Sequence, residues 1–293
     1  MKKEILTNLI IPGAAKSGTS SLHEYLNAHA GINMSTIKEP HFFSIDRQFQ
    51  KGVDFYNSLY ENNKPACRYY GESSTTYLNS FESHLKIKAL IPGAKFIIIL
   101  RNPIDRLYSH YQWMYNLSYE SSPFKKAIEE DKNVVFNPNK SINGCYKNYL
   151  GSSLYAKSID HLQSLFGKEN VLILTTENLH ANLDHTLSAI SHFLKLPPFP
   201  AINKIEVNKT KDIIRVDQPL LLRIAKGFAP VGLKRKVKGM LNQFLQKHYG
   251  NKVHHSPLDK ESRLWLKEHF HKDVLRLKEI SDCDFSTWKD FND

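Results

Sequence analysis

Residues 96–100 read Phe-Ile-Ile-Ile-Leu, five consecutive apolar side chains, three of them β-branched. Side chains on a strand alternate between its two faces, so a strand of this sequence needs apolar cover on both. That requirement points to a parallel sheet held between helices. Pro103 falls where a following helix would begin, and Ile104, Leu107, Tyr108 and Tyr111 are spaced to face a core. Residues 170–175 (NVLILT) repeat the pattern, with helical spacing before them over 154–166 and after them over 183–194. Residues 6–11 form a shorter apolar run that ends at Pro12-Gly13, and from Thr19 to His29 Leu22, Tyr25 and Leu26 share one helical face. The alternation predicts an α/β layered domain. Beyond Pro197, Pro198 and Pro200 the pattern is helical and polar with no strand, read as a helical C-terminal layer on the same single domain, 1–293.

Hydrophobic residues make up 41% of the chain, enough for a packed core, which excludes a disordered polymer. Cys67, Cys145 and Cys283 are odd in number and lack metal-ligand spacing, so a reduced, cytoplasmic chain is expected. The first residues carry no secretory pattern, and no run of 18 apolar residues occurs. The net charge is +11, and residues 204–252 hold twelve Lys or Arg against three Asp or Glu, which is nine of that excess. This basic segment, 202–254, is expected to form a mostly helical cap. Within it Leu233, Val237, Met240, Leu241, Phe244 and Leu245 fall at helical spacing beside Lys234, Arg235, Lys236 and Lys238. A solvated surface helix explains that pattern most simply; the sharper expectation is a membrane-peripheral contact through 233–249.

Residues 12–22 (PGAAKSGTSSL) lie between the first strand and its helix, so their backbone N–H groups collect at a helix N-terminus, a place suited to phosphate. The spacing Gly13-x-x-x-x-Gly18 is P-loop-like, but Thr19-Ser20 follows where a nucleoside-triphosphate P-loop has Lys-Ser or Lys-Thr, and the lysine is Lys16, inside the loop. The strongest strand ends in Arg101 rather than in an acid that would hold magnesium, and Glu177 is a weak substitute. The loop therefore suits a phosphate donor that needs no metal clamp. Arg101 and Ser109, about two helical turns apart in sequence, could hold a second phosphate at the sheet's C-terminal edge. Taken alone, Arg101 is as well explained by an ion pair with Asp105. In Lys38-Glu39-Pro40-His41-Phe42-Phe43, Glu39 and His41 can point the same way if the segment is extended, with the two phenylalanines as anchors. Either could take a proton from an acceptor; a packed core histidine is the blander reading.

The combination of PGAAKSGTSSL, KEPHFF and FIIILRNPIDRLYSHY resembles the sulfotransferases that use 3′-phosphoadenosine 5′-phosphosulfate (PAPS), most closely the bacterial and heparan-sulfate-type branch. Gly151-x-x-x-Tyr155, VLILTTENL and DFSTW extend the match over most of the chain. The resemblance implies a three-layer α/β/α sandwich around a parallel sheet. It also implies PAPS as co-substrate, adenosine 3′,5′-bisphosphate as product and no metal requirement. Lys16, Ser17, Gly18, Thr19 and Ser20 match the segment that grips the 5′-phosphosulfate, with Lys16 at the leaving phosphate's bridging oxygen. Arg101 and Ser109 match the pair that binds the 3′-phosphate, Tyr155 a tyrosine near the nucleotide, Glu39 the general base and His41 its neighbour. The implied acceptor is a glycan or glycolipid hydroxyl or amine, with a small natural product as the alternative. A P-loop kinase and a nucleic-acid-binding protein rank below it, and no nucleic-acid partner is expected. Where the branch usually has a lysine after Gly71-Glu72, this chain has Ser73. Either another lysine substitutes, Lys38 being the candidate, or the acceptor is less anionic.

Overall fold

The computed structural model describes residues 4, 6–60, 67–140, 146–202, 215–216, 250–251 and 256–292. Five parallel strands form one sheet: β1 (Leu9–Ile11), β2 (Ile32–Met34), β3 (Tyr69–Ser73), β4 (Lys95–Leu100) and β5 (Val171–Thr175), in the order β2-β3-β1-β4-β5. The helices in chain order are α1 (Thr19–Ala28), α2 (Asp46–Phe49), α3 (Gly52–Asn57), α4 (Phe81–Leu90), α5 (Pro103–Asn116), α6 (Phe124–Asp131), α7 (Ala156–Phe166), α8 (Thr176–Ala181), α9 (Leu183–Leu194) and α10 (Lys260–Ile280).

The two-faced burial demanded by residues 96–100 sets the layers. Phe96, Ile98 and Leu100 enter one core with Ile10 of β1, Ile87 of α4, Ile104 and Leu107 of α5, Ile159 and Leu162 of α7 and Phe270 of α10. Ile97 and Ile99 enter the opposite core with Leu9 and Ile11, Leu22 and Leu26 of α1, and Leu187 and Ile190 of α9. The result is the three-layer α/β/α sandwich, with β1 and β4 in its middle. The C-terminal helix α10 does lie on this domain, burying Leu266, Phe270, Val274 and Leu277. Its Arg263 pairs with Asp105 at 3.0 Å and with Asp290 at 2.6 Å, tying helix and tail to the start of α5.

Two findings correct the sequence expectation. Strands β2 and β3 were not anticipated; β3 reads Tyr-Tyr-Gly-Glu-Ser, and its polar members are buried all the same. A two-stranded antiparallel ribbon, Arg215–Val216 (β6) with Gly250–Asn251 (β7), stands in the stretch expected to lack strands. The helix expected over 233–249 and Cys145 lie outside the described residues. Among the described residues no helix is long and apolar enough to cross a membrane.

Ile98 is fully buried in the middle layer. Replacing it with Ala is expected to cost about 3 kcal/mol, the range for deleting buried methyl groups. Urea unfolding measures this, and an unchanged midpoint would show that β4 does not organise the core.

Candidate active site

All five strands run the same way, so the loops after β1, β3 and β4 open at one edge of the sheet. The first of these is the glycine loop. Ala14 N–H donates to the Ile99 carbonyl (2.7 Å) and Ile99 N–H to the Gly13 carbonyl (3.0 Å), locking the loop onto β4. Gly18 stands at the start of α1 with φ 87°, the left-handed region where glycine is at ease. Thr176 Oγ1 lies 2.6 Å from the Ser17 carbonyl and 2.9 Å from that of Leu100, fastening the loop to the start of α8. No side chain caps α1 and no acid stands in its first turn, so its N-terminal N–H groups favour an anion. Ser17 Oγ is buried with no hydrogen-bond partner among the described residues, an orphaned donor that a phosphate oxygen would satisfy. Thr19 is buried, and Lys16 and Ser20 are partly exposed. The Lys16 ammonium lies 5.1 Å from the centre of the Trp113 ring on α5.

The loop after β4 carries Arg101, half-buried at the strand end, and Ser109 on α5, buried. The ion pair between Arg101 and Asp105 does not form, because Asp105 is held by Arg263. Tyr155 lies fully buried beneath Arg101, its hydroxyl donating to the Arg101 carbonyl at 2.9 Å. Its backbone N–H is capped by Asp273 of α10 at 2.7 Å. Glu177 is used as a strut: its two carboxylate oxygens accept from Asn102 N–H and from Trp288 Nε1, each at 3.0 Å. Among the described residues no group of three or more His, Cys, Asp or Glu is arranged to hold a metal.

The third part comes from the segment before α2, docked on the end of β3. Glu39 N–H donates to the Ser73 carbonyl (2.9 Å), and Phe42 and Phe43 are buried, Phe42 stacked on Tyr56 with ring centres 4.2 Å apart. Glu39 and His41 are indeed neighbours, with His41 Nε2 3.6 Å from Glu39 Oε2. The expected reason was mistaken: the segment is not extended, since Glu39 has φ 60° and His41 φ 54°. Glu39 Oε2 accepts from Thr75 N–H (2.9 Å) and Thr75 Oγ1 (3.1 Å), and Oε1 accepts from Lys38 Nζ (2.9 Å). Burial would raise the Glu39 carboxyl, but Lys38, His41 and the Thr75 N–H together hold it below the usual range. Burial keeps His41 neutral, with Glu39 opposing and Lys38 reinforcing that effect.

Sequence reasoning missed the polar run after β3 that organises this corner. Glu72, fully buried, accepts from Tyr56 (3.1 Å) and from Ser74 (2.8 Å), and Ser74 Oγ in turn accepts the His41 N–H (2.9 Å). Ser73 Oγ bonds His23 Nδ1 of α1 at 2.9 Å, and His41 Nδ1 bonds Thr76 Oγ1 at 2.9 Å. The only available signal was the cluster of small hydroxyl residues itself, ESSTT.

A sulfotransferase domain model matches residues 6–221 of the chain. This chain belongs to the sulfotransferase domain family. It is similar to the bifunctional heparan sulfate N-deacetylase/N-sulfotransferase 2 of Bos taurus, 27% identical over 288 residues, with 94% of this chain and 29% of that protein covered. It is also similar to carbohydrate sulfotransferase 15 of Mus musculus, 25% identical over 250 residues, with 66% and 44% covered. The chain thus spans less than a third of the length of the N-deacetylase/N-sulfotransferase relatives it matches. Among solved structures, the sulfotransferase from Alicyclobacillus acidocaldarius superposes with a TM-score of 0.66 at 23% identity, covering 97% of this chain and 98% of that one; it shares the fold.

In this chain, burial pushes the Glu72 carboxyl up to about 7, against its hydrogen bonds from Tyr77, Ser74 and Tyr56. A carboxyl raised on folding stabilises the fold below its unfolded value, near 4.5, and loses that contribution as pH rises through about 7. Glu72→Gln removes the titration. Relative to wild type, its unfolding free energy is expected to gain about 3 kcal/mol between about pH 4 and pH 8. Denaturant titrations at the two pH values measure it; a constant difference would show that Glu72 is ionised in the fold.

Proposed function

We propose that this chain transfers a sulfuryl group from PAPS to a hydroxyl or amine of a carbohydrate acceptor. The observation that carries the reading is that the loop bearing Lys16 and the loop whose Ser73 and Thr75 fix Glu39 leave the same edge of the sheet. The two loops follow neighbouring strands paired in register, Ile11 opposite Ser73. The heparan-sulfate-acting and carbohydrate-acting relatives support a carbohydrate as the acceptor class.

PAPS supplies the activated sulfuryl group. Ser17, Gly18, Thr19 and Ser20 present N–H and hydroxyl donors to its 5′-phosphate, and Arg101 with Ser109 receives the 3′-phosphate. Lys16 and the loop N–H groups stabilise the charge that grows on the departing phosphate, a preorganised electrostatic contribution. Glu39, a carboxylate already fixed by Thr75 and Lys38, takes the acceptor's proton, with the neutral His41 imidazole beside it. Tyr155 acts on the nucleotide through the Arg101 backbone that it holds.

Transfer of labelled sulfate from PAPS to a panel of unsulfated and N-deacetylated polysaccharides tests the reading. Lys16→Ala and Glu39→Gln are each expected to lower kcat by at least about a hundredfold with the fold intact by circular dichroism. Near-wild-type turnover in the Lys16→Ala enzyme would remove Lys16 from the mechanism. Absence of any transfer by the wild-type enzyme would count against the carbohydrate acceptor.

A further inference from the structure

Lys38 and Glu39 form an ion pair at the mouth of the site, each side chain 27% exposed, with Nζ 2.9 Å from Oε1. The two oxygens of Glu39 are not equivalent. Oε2 is taken by both donors of Thr75 and faces His41, whereas Oε1 has Lys38 as its partner among the described residues. Oε1 is therefore the oxygen with a lone pair left for an incoming proton. Ser73, at the end of the adjacent strand, brings no charge, and its hydroxyl is engaged with His23. Lys38 is thus the cation in direct contact with the proton acceptor.

We infer that Lys38 is a positioning residue with two tasks, holding Glu39 as a carboxylate before transfer and pairing with the new sulfate ester after it. The inference rests on the sulfuryl-transfer reading above. Charge accounting gives the second task. The acceptor's O–H bond breaks and its proton goes to Glu39 Oε1. The acceptor oxygen bonds sulfur as the bond from sulfur to the phosphate oxygen breaks, and the electron pair leaves with the phosphate. Glu39 ends neutral, the ester carries one negative charge, and Lys38 is left with its positive charge unpaired beside it. The ammonium that stabilised the base then stabilises the product, so the corner stays electrically balanced on both sides of the step.

The groups facing Glu39 are Lys38 and His41 from its own segment, His23 from α1 and Glu72 from β3. Burial lowers His23 to about 4. Removing Lys38 therefore takes away the one ammonium group among these described neighbours of Glu39.

The test compares wild type, Lys38→Met and Lys38→Arg by two readouts. Carbon-13 NMR of side-chain-carboxyl-labelled glutamate, assigned with Glu39→Gln, follows the Glu39 titration without requiring turnover. The reverse reaction, with p-nitrophenyl sulfate as sulfuryl donor and adenosine 3′,5′-bisphosphate as acceptor, gives a KM for a sulfate ester at the product position. Lys38→Met is expected to raise the Glu39 midpoint by at least about one pH unit and the KM by about tenfold, and Lys38→Arg to leave both near wild type. An unchanged midpoint, or an unchanged KM, in Lys38→Met overturns the inference. If the wild-type enzyme neither turns over p-nitrophenyl sulfate nor transfers label from PAPS to a carbohydrate, the sulfuryl-transfer reading fails, while the NMR titration still decides whether Lys38 holds Glu39 ionised.

Discussion

The parallel pairing of β1 with β3 on one side and β4 on the other is the constraint on which the rest of the site depends. It is possible because β4 and β1 bury both faces, Phe96, Ile98 and Leu100 in one core and Ile97 and Ile99 in the other. Parallel direction then forces three loops to emerge side by side. One carries Lys16, one receives Glu39, and one carries Arg101. None of these residues is near another in sequence, and the parallel sheet brings their loops to one edge.

Burial sets the charge states at this edge. His23, His41 and His110 are all pushed down by desolvation, so the imidazoles stay neutral where further positive charge would compete with Lys16 and Arg101. Glu72 is raised by the same cause and, half-neutral near pH 7, serves as a buried anchor for Ser74 and Tyr56. Glu39 is the exception, because Lys38 and Thr75 outweigh its desolvation. Two carboxyls of one corner, Glu72 on β3 and Glu39 docked on the end of that strand, are thereby driven in opposite directions.

The middle of the sheet was legible in the sequence because it obeys a simple rule: continuous apolar runs mean strands covered on both sides. Helices α1, α5, α7 and α9 followed from periodicity, and Pro103 does start α5. The edge strand β2 is only three residues long, and β3 hides its burial behind Gly71, Glu72 and Ser73. A Cβ at Gly71 would come within 2.4 Å of Met34 Sδ, so a larger residue there requires Met34 to move, and Glu72 and Ser73 are tolerated because Tyr56, Ser74 and His23 satisfy them. Such partners come from distant segments and leave no local trace. The neighbourhood of Glu39 and His41 was foreseen, but its geometry was not: two left-handed residues replace the extended segment. In the same way, the partner of Asp105 is Arg263, 158 residues away, which freed Arg101 from the ion pair that its sequence context suggested.

The most direct test of the account is calorimetric titration of the protein with adenosine 3′,5′-bisphosphate in the presence of EDTA, beside ATP with magnesium. The bisphosphate is expected to bind without metal, weakened at least about tenfold by Arg101→Ala. Binding of ATP–magnesium with no response to the bisphosphate would contradict it.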